Sequence, residues 1–258
     1  MISLSEVVDD LLRAERERKP LPPFTEAHRD FDVGSAYEAQ RRLVAAKERA
    51  GDPVVGAKLG LTSRAKQEAM GVDHPLYGWV TGSMLLPFGE PVALETLIQP
   101  RVEPEIAFRL KADVPTPATV TGVLNATESV FAAIDVLDSR YEDYRFTLAD
   151  VVADNCSAGR FLLGPVTRDP AALGDLRLVG CVLRVDGEVA ATAAGAAVMG
   201  HPAASVAWLA NRLAVRGEVL KAGSLVFSGG LTAPVPLRRG RSISAEFDGL
   251  GAIEVVGS

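Results

Sequence analysis

Glu103 and Glu105 stand two residues apart in Arg101-Val102-Glu103-Pro104-Glu105-Ile106-Ala107-Phe108, a run in which polar and apolar residues alternate. Alternation with period two reads as a strand, so both carboxylates leave on one face, roughly 7 Å apart. A single hard cation can bridge that span, and without one two like charges so placed repel each other. The same spacing also fits a strand with an acidic solvent face. Pro104 has no N–H for a ladder, which predicts a sheet edge or a bulge. A third acid, Asp135, lies inside the apolar run Phe131-Ala132-Ala133-Ile134-Asp135-Val136-Leu137. An unpaired carboxylate is costly to bury there, so either it has a partner or the strand is half exposed. Three carboxylates, in a chain whose histidines are only His28, His74 and His201, point to an oxygen-held hard ion, Mg2+ or Mn2+.

Lys58 sits between glycines in Val54-Val55-Gly56-Ala57-Lys58-Leu59-Gly60-Leu61-Thr62-Ser63. Such a lysine is either a desolvated anchor for an anionic substrate or a surface residue whose stem lies along apolar neighbours. Asp154-Asn155-Cys156-Ser157 gathers small hydrogen-bonding groups ahead of a strand, in a loop that can also be a simple Asx turn. No histidine is marked as a base for Cys156, so it reads as a small buried side chain. Ser228-Gly229-Gly230-Leu231-Thr232, after a strand, resembles a turn that cradles an anion, although it lacks a phosphate-loop lysine. His201, before Pro202, reads as a helix cap.

The elements that must position these residues fall into two parts. Ser3 and Glu6 form a capping box ahead of Leu4, Val7, Val8, Leu11 and Leu12 at helical spacing, and Ser35 with Glu38 repeats the signal before a helix that Gly51 can close. Residues 1–52 are therefore expected to be a helical segment. Residues 53–258 are expected to form one mainly sheet body, with strands over Val54 to Leu61, Val102 to Leu110, Ala132 to Leu137, Leu178 to Val185, Ser224 to Phe227 and Ser242 to Val256. Asp186-Gly187 and Asp248-Gly249 predict hairpins, and Pro202 to Arg216 predicts a helix. The class is α+β, without regular βαβ alternation.

Composition narrows the function. The chain has 258 residues, 48% hydrophobic, with 27 Lys and Arg against 33 Asp and Glu, a net charge of −6. That size supports an ordinary core, and that charge argues against a nucleic-acid surface. Two cysteines exclude a disulfide scaffold and fit the cytoplasm. The most apolar stretch, Ala193 to Ala210, is broken by Gly200, His201 and Pro202, so no membrane span is expected.

Taken together, Gly56-Ala57-Lys58-Leu59-Gly60-Leu61-Thr62-Ser63, Gly71-Val72-Asp73 with Tyr77-Gly78, Glu103-Pro104-Glu105-Ile106, Asp138-Ser139-Arg140-Tyr141-Glu142, Val152-Ala153-Asp154-Asn155 and Gly195-Ala196-Ala197-Val198-Met199-Gly200-His201-Pro202 resemble the hydratase and decarboxylase branch of the fumarylacetoacetate hydrolase superfamily, enzymes of aromatic meta-cleavage pathways. The resemblance runs from the Val54 segment to the C-terminus. It implies a mixed, strongly curved β-sheet roll with a small N-terminal helical segment. It also implies a divalent metal, Mg2+ or Mn2+, on Glu103, Glu105 and Asp135, the last being Asp where close relatives usually carry Glu. Lys58, Asp154 and Ser157 map onto the family's catalytic positions, and Arg140 is a candidate for a second substrate carboxylate, with Ser228 and Gly229 as further substrate-binding candidates.

The activity implied is metal-dependent decarboxylation of 2-oxohex-3-enedioate, or a close 2-oxo dicarboxylate, to 2-hydroxypenta-2,4-dienoate and CO2, with no organic cofactor. Tyr141-Glu142-Asp143-Tyr144-Arg145-Phe146 looks like the decarboxylase version of its stretch. Hydration of 2-hydroxypenta-2,4-dienoate on the same metal is the alternative, and a non-catalytic partner role is the reading from another class. A homo-oligomer, and a complex with a sister hydratase, are expected from the family.

Overall fold

The computed structural model describes residues 2–258. Three helices come first, α1 (Leu4–Glu17), α2 (Phe24–Ala27) and α3 (Val33–Arg49). The chain continues as β1 (Val54–Gly60), α4 (Arg64–Met70), β2 (Leu76–Thr81), β3 (Arg101–Leu110), α5 (Val120–Ala126), β4 (Thr127–Leu137), α6 (Leu148–Ala153) and β5 (Ala158–Arg168). It ends with α7 (Pro170–Leu173), β6 (Gly180–Val185), β7 (Glu188–Ala194), α8 (Pro202–Ala214), β8 (Leu225–Phe227), β9 (Val235–Pro236), β10 (Ser242–Phe247) and β11 (Gly251–Val256).

Ser3 caps α1 and Glu6 bonds back to the Ser3 N–H, the expected capping box, which contributes about 1 kcal/mol. Its buried stripe is Val7, Val8, Leu11 and Ala14. The third helix starts earlier than Ser35 suggests. Asp32 is its cap, accepting from the Ser35 N–H at 2.7 Å, and an aspartate there adds negative charge at the helix's positive end. Further along, His201 caps α8, with its Nδ1 accepting from the Ala203 N–H at 3.0 Å.

The main sheet runs β2-β1-β8-β3-β4-β5, with β9 also paired to β3, and the second runs β11-β10-β6-β7. It is mixed, because β1 and β8 are parallel while the other neighbours are antiparallel. The two Asp-Gly turns join β6 to β7 and β10 to β11 as antiparallel hairpins. Ser242 to Val256 is thus two strands rather than one. A strand absent from the expectation, β2, carries Gly78 at its centre, which weakens any strand signal.

Pro104 does not mark a sheet edge, since β3 lies between β4 and β8. Its pairing with β8 covers only Ala107 to Arg109, and that with β9 only Arg101 and Val102. Pro104 falls in the gap, where its carbonyl accepts from the Leu231 N–H at 2.9 Å. The N and O of one strand residue point to the same side, so the missing donor faces this gap and the β4 ladder is intact.

The faces of the main sheet have different duties. Val102, Ile106, Phe108, Ile134 and Val136 enter a large core shared with the helices and with β10 and β11. On the other face Ala107, Ala133, Phe161 and Phe227 form a smaller apolar floor. The acids of β3 and β4 rise beside it.

Candidate active site

Glu103 and Asp135 are directly paired across the β3–β4 ladder, and Glu105 pairs with Ala133. Cross-strand partners share a face, so the three carboxylates converge on one side of the sheet. Lys58 joins them from β1, because its partner on β8 is Phe227, which in turn pairs with Ala107 of β3. Glu105 and Asp135 are fully buried, Glu103 is 7% exposed and Lys58 2%.

Lys58 Nζ lies 2.6 Å from Asp135 Oδ2 and donates to the Cys156 carbonyl at 2.9 Å. Lys66 of α4 reaches Glu103 Oε1 at 2.6 Å. Among the described residues no three His, Cys, Asp or Glu side chains close up as a ready-made metal cage. Two of the acids are engaged by lysines. Even so, Glu105 Oε1 and Asp135 Oδ1 are buried and accept no hydrogen bond, and a buried carboxylate oxygen in that condition is stabilised by a cation. The donor set is all oxygen, borne on one face, and fits a hard divalent ion with positions left for substrate or water.

The electrostatics follow from this crowding. Burial, then the neighbouring Asp135, raises the Glu105 carboxyl well above its ordinary range despite Lys58. Burial pushes Asp135 up to about 6, again against Lys58. Burial works to lower Lys58, but Asp135 and Glu105 outweigh it and keep the ammonium charged.

The backbone that holds Lys58 is strained. Asn155, Cys156 and Ser157 have φ of 48°, 57° and 54°, left-handed values that non-glycine residues rarely adopt in succession. The Asn155 side chain pays for this by pairing with β2, accepting from the Trp79 N–H and donating to the Trp79 carbonyl, both at 2.8 Å. A Cβ on Gly78 would lie 2.6 Å from the Asn155 carbonyl oxygen, so glycine is required there. Cys156 is buried, with its thiol pushed up by burial and donating to the Tyr77 carbonyl.

The Ser228-Gly229-Gly230 turn cradles an anion that belongs to the protein. The Gly229 N–H donates to Glu105 Oε2 at 2.8 Å, and Gly230 leaves room for Glu103, whose Oε2 a Cβ there would meet at 2.0 Å. Ser228 is fully buried beside them.

A cavity of about 450 Å3 opens over the site, lined by Lys58, Lys66, Glu103, Arg101, Tyr144 and Ser157, with apolar walls that include Met70, Leu76 and Phe146. A larger cleft of about 630 Å3, bounded by His74, Met199 and Trp208, lies against the opposite face of α4 and contains none of the three acids. Ser157 faces the cavity and its hydroxyl is 3.5 Å from Asp154 Oδ2. Asp154 and Arg140 lie behind it. Arg140, expected to meet substrate, is buried in an ion pair with Asp154, and its remaining donors bond the carbonyls of Ala158 and Asp154. Burial pushes the Asp154 carboxyl up to about 7 against the pull of that guanidinium.

Three cavity residues had no role assigned from the sequence. Lys66 sits in a polar helical run that reads as solvated surface. Tyr144 reaches the cavity through a short turn in which it and Asp143 have φ of 58° and 56°. Arg101 could have been found, because the alternation that aligns Glu103 with Glu105 also aligns Arg101.

Residues 43–256 match the fumarylacetoacetate hydrolase C-terminal family. A 4-oxalocrotonate decarboxylase of Pseudomonas sp. (strain CF600) is 42% identical over 254 residues, 98% of this chain and 95% of that one. A 2-hydroxyhexa-2,4-dienoate hydratase of Comamonas testosteroni is 39% identical over 248 residues, 95% and 94% of the two chains. The solved structure of 4-oxalocrotonate decarboxylase from Pseudomonas putida G7, complexed with magnesium and adipate, superposes with a TM-score of 0.95 at 36% identity, covering 100% of this chain and 99% of that one.

Proposed function

Because this chain belongs to the fumarylacetoacetate hydrolase C-terminal family, we propose that it is a divalent-metal-dependent lyase that decarboxylates 2-oxohex-3-enedioate, or a close 2-oxo dicarboxylate, to 2-hydroxypenta-2,4-dienoate and CO2. The observation that carries this reading is the convergence of Glu103, Glu105 and Asp135 with Lys58 on one buried sheet face, with two carboxylate oxygens lacking partners. Glu103, Glu105 and Asp135 would hold Mg2+ or Mn2+, which when bound supplies Lewis-acid stabilisation of negative charge on the substrate's 2-oxo oxygen. Cleavage of the C5–C6 bond releases CO2, and its electron pair moves through the C3–C4 double bond to that oxygen, leaving a dienolate that takes one proton. Lys58, charged and shielded from water, stabilises the developing oxyanion and is placed to give that proton. Ser157 faces substrate, while Asp154 and Arg140 hold the turn that carries it. The apolar walls exclude water, which favours loss of CO2 over addition of water.

Hydration of 2-hydroxypenta-2,4-dienoate is the second reading, favoured by the high identity to a dienoate hydratase. In either case we place the enzyme in aromatic-ring catabolism, in the cytoplasm, as a homo-oligomer able to associate with a sister hydratase. No helix among the described residues is long and apolar enough to cross a membrane. The deciding experiment follows CO2 release from 2-oxohex-3-enedioate by metal-stripped protein with and without added Mg2+ or Mn2+, beside consumption of 2-hydroxypenta-2,4-dienoate. Metal-dependent CO2 release is expected. Hydration alone assigns the second reading, and inactivity on both substrates with metal present overturns both.

A further inference from the structure

Three cations line the cavity over the acids, Lys58, Lys66 and Arg101. Lys58 is engaged by Asp135 and Lys66 by Glu103. Arg101 alone of the three has no carboxylate partner among the described residues. Its guanidinium lies over the ring of Tyr144, 3.9 Å from the centroid, and the Tyr144 hydroxyl donates to the Leu137 carbonyl at 3.1 Å. Ring and guanidinium are thereby fixed as one unit, with the fork of N–H donors left for a ligand.

The position of this unit is set by the strand. Arg101, Glu103 and Glu105 occupy alternate positions of β3, and Arg101 pairs with Leu137 one step along from the Glu103–Asp135 pair. One such step is roughly 7 Å, about the span of a six-carbon chain between its terminal carboxyl carbons. A substrate whose 2-oxo acid end sits at the three acids brings its far end to Arg101. Two other arginines are engaged elsewhere, Arg140 by buried Asp154 and Arg145 by exposed Glu142.

We infer that Arg101, held by Tyr144, is the residue that recognises the distal carboxylate and so selects six-carbon 2-oxo dicarboxylates over monocarboxylates of the same length. This assignment rests on the metal-dependent 2-oxo acid reading above, and its test separates the two. Calorimetry in the presence of Mg2+ compares 2-oxoadipate with 2-oxohexanoate, which differ only in the distal group and lack the double bond that decarboxylation needs. The wild-type protein is expected to bind the diacid roughly 10- to 100-fold more tightly, as a charge-assisted bidentate pair provides. Arg101→Met should bring the two affinities within about threefold, and Arg101→Lys should keep part of the preference. Tyr144→Leu, which removes the support and leaves the charge, should weaken the diacid more than the monoacid, and it serves as the test where Arg101→Met does not fold. A full preference retained in folded Arg101→Met, or in Tyr144→Leu where only that variant folds, overturns the assignment and leaves the metal site standing, as does equal binding of both ligands by the wild type. Binding of neither ligand by the metal-loaded wild type overturns the underlying reading.

Discussion

Glu103 and Asp135 face each other as direct partners across the β3–β4 ladder, each with a lysine against it, Lys66 for Glu103 and Lys58 for Asp135. Two carboxylates in that position repel unless positive charge intervenes. The lysines supply part of it, and a divalent cation bound there would supply more. Glu105, fully buried and two residues along the strand from Glu103, has one oxygen held by Gly229 and the other unpartnered.

That geometry makes Glu105→Gln the sharpest test of the metal site. The amide keeps the shape and one acceptor but removes a negative charge, and it introduces donors where a cation would sit. Metal affinity measured by calorimetry should fall by more than about 100-fold, the upper end of the range for losing even an outer partner of a metal ligand. The circular dichroism spectrum should be unchanged. Affinity near that of the wild type would remove Glu105 from the ligand set.

Protons should compete with the metal. Burial raises Glu105 well above its usual range and brings Asp135 up to about 6, while a hard cation needs both ionised. Affinity for Mn2+ should therefore fall by roughly tenfold per pH unit for each proton displaced once pH drops below about 6. The metal-free fold obeys the same linkage in the opposite sense. The folded state holds a proton on Asp135 that the unfolded chain releases between the ordinary value of 3.8 and about 6. This group's contribution therefore makes the metal-free protein more stable as pH falls through that window. Titrating Mn2+ between pH 5 and pH 8 checks the competition, and a flat profile would contradict it.

Gly230 offers a test that leaves every candidate ligand in place. A methyl group there would stand 2.0 Å from Glu103 Oε2, so Gly230→Ala must move either the turn or the carboxylate. A loss of roughly 10- to 100-fold in metal affinity is expected, with little change in melting temperature, since Glu103 has space towards the cavity. Unchanged affinity in a variant whose crystal structure shows the Glu103 carboxylate displaced would mean that Glu103 does not hold the metal.

Much of this arrangement was legible in the residues. Period-two spacing put Glu103 and Glu105 on one face, the Asp-Gly pairs marked two hairpins, and Pro202 began a helix. Pro104 misled, because the rule that confines proline to edges assumes a continuous partner, and the gap between β8 and β9 is a long-range property of the sheet. Asp32 outranked Ser35 as a cap because the two residue types are nearly equal in that role and only the backbone decides between them. The fates of Lys66 and Arg140 depend on partners 37 and 14 residues away, and no local pattern encodes such pairings.

Arg140 shows how far a pairing can change what a mutation means. If it met the substrate directly, Arg140→Leu would harm dicarboxylate binding selectively and leave the fold intact. In the structure it neutralises Asp154, itself fully buried, and ties the 154–158 turn through two carbonyls. Removing one member of a buried ion pair strands the other, at about 3–5 kcal/mol. For a chain of this size that corresponds to a fall in melting temperature of roughly 10 °C. Ligands with and without a distal carboxylate should weaken together. The double variant Arg140→Leu with Asp154→Leu should recover part of the loss, because it buries no unpaired charge. Calorimetric unfolding of the wild type and the two variants decides the matter. A stable Arg140→Leu protein with a selective defect towards dicarboxylates would return Arg140 to the substrate, whereas a destabilised one rescued by the second change identifies it as the residue that holds Ser157 and the Lys58 carbonyl contact in place.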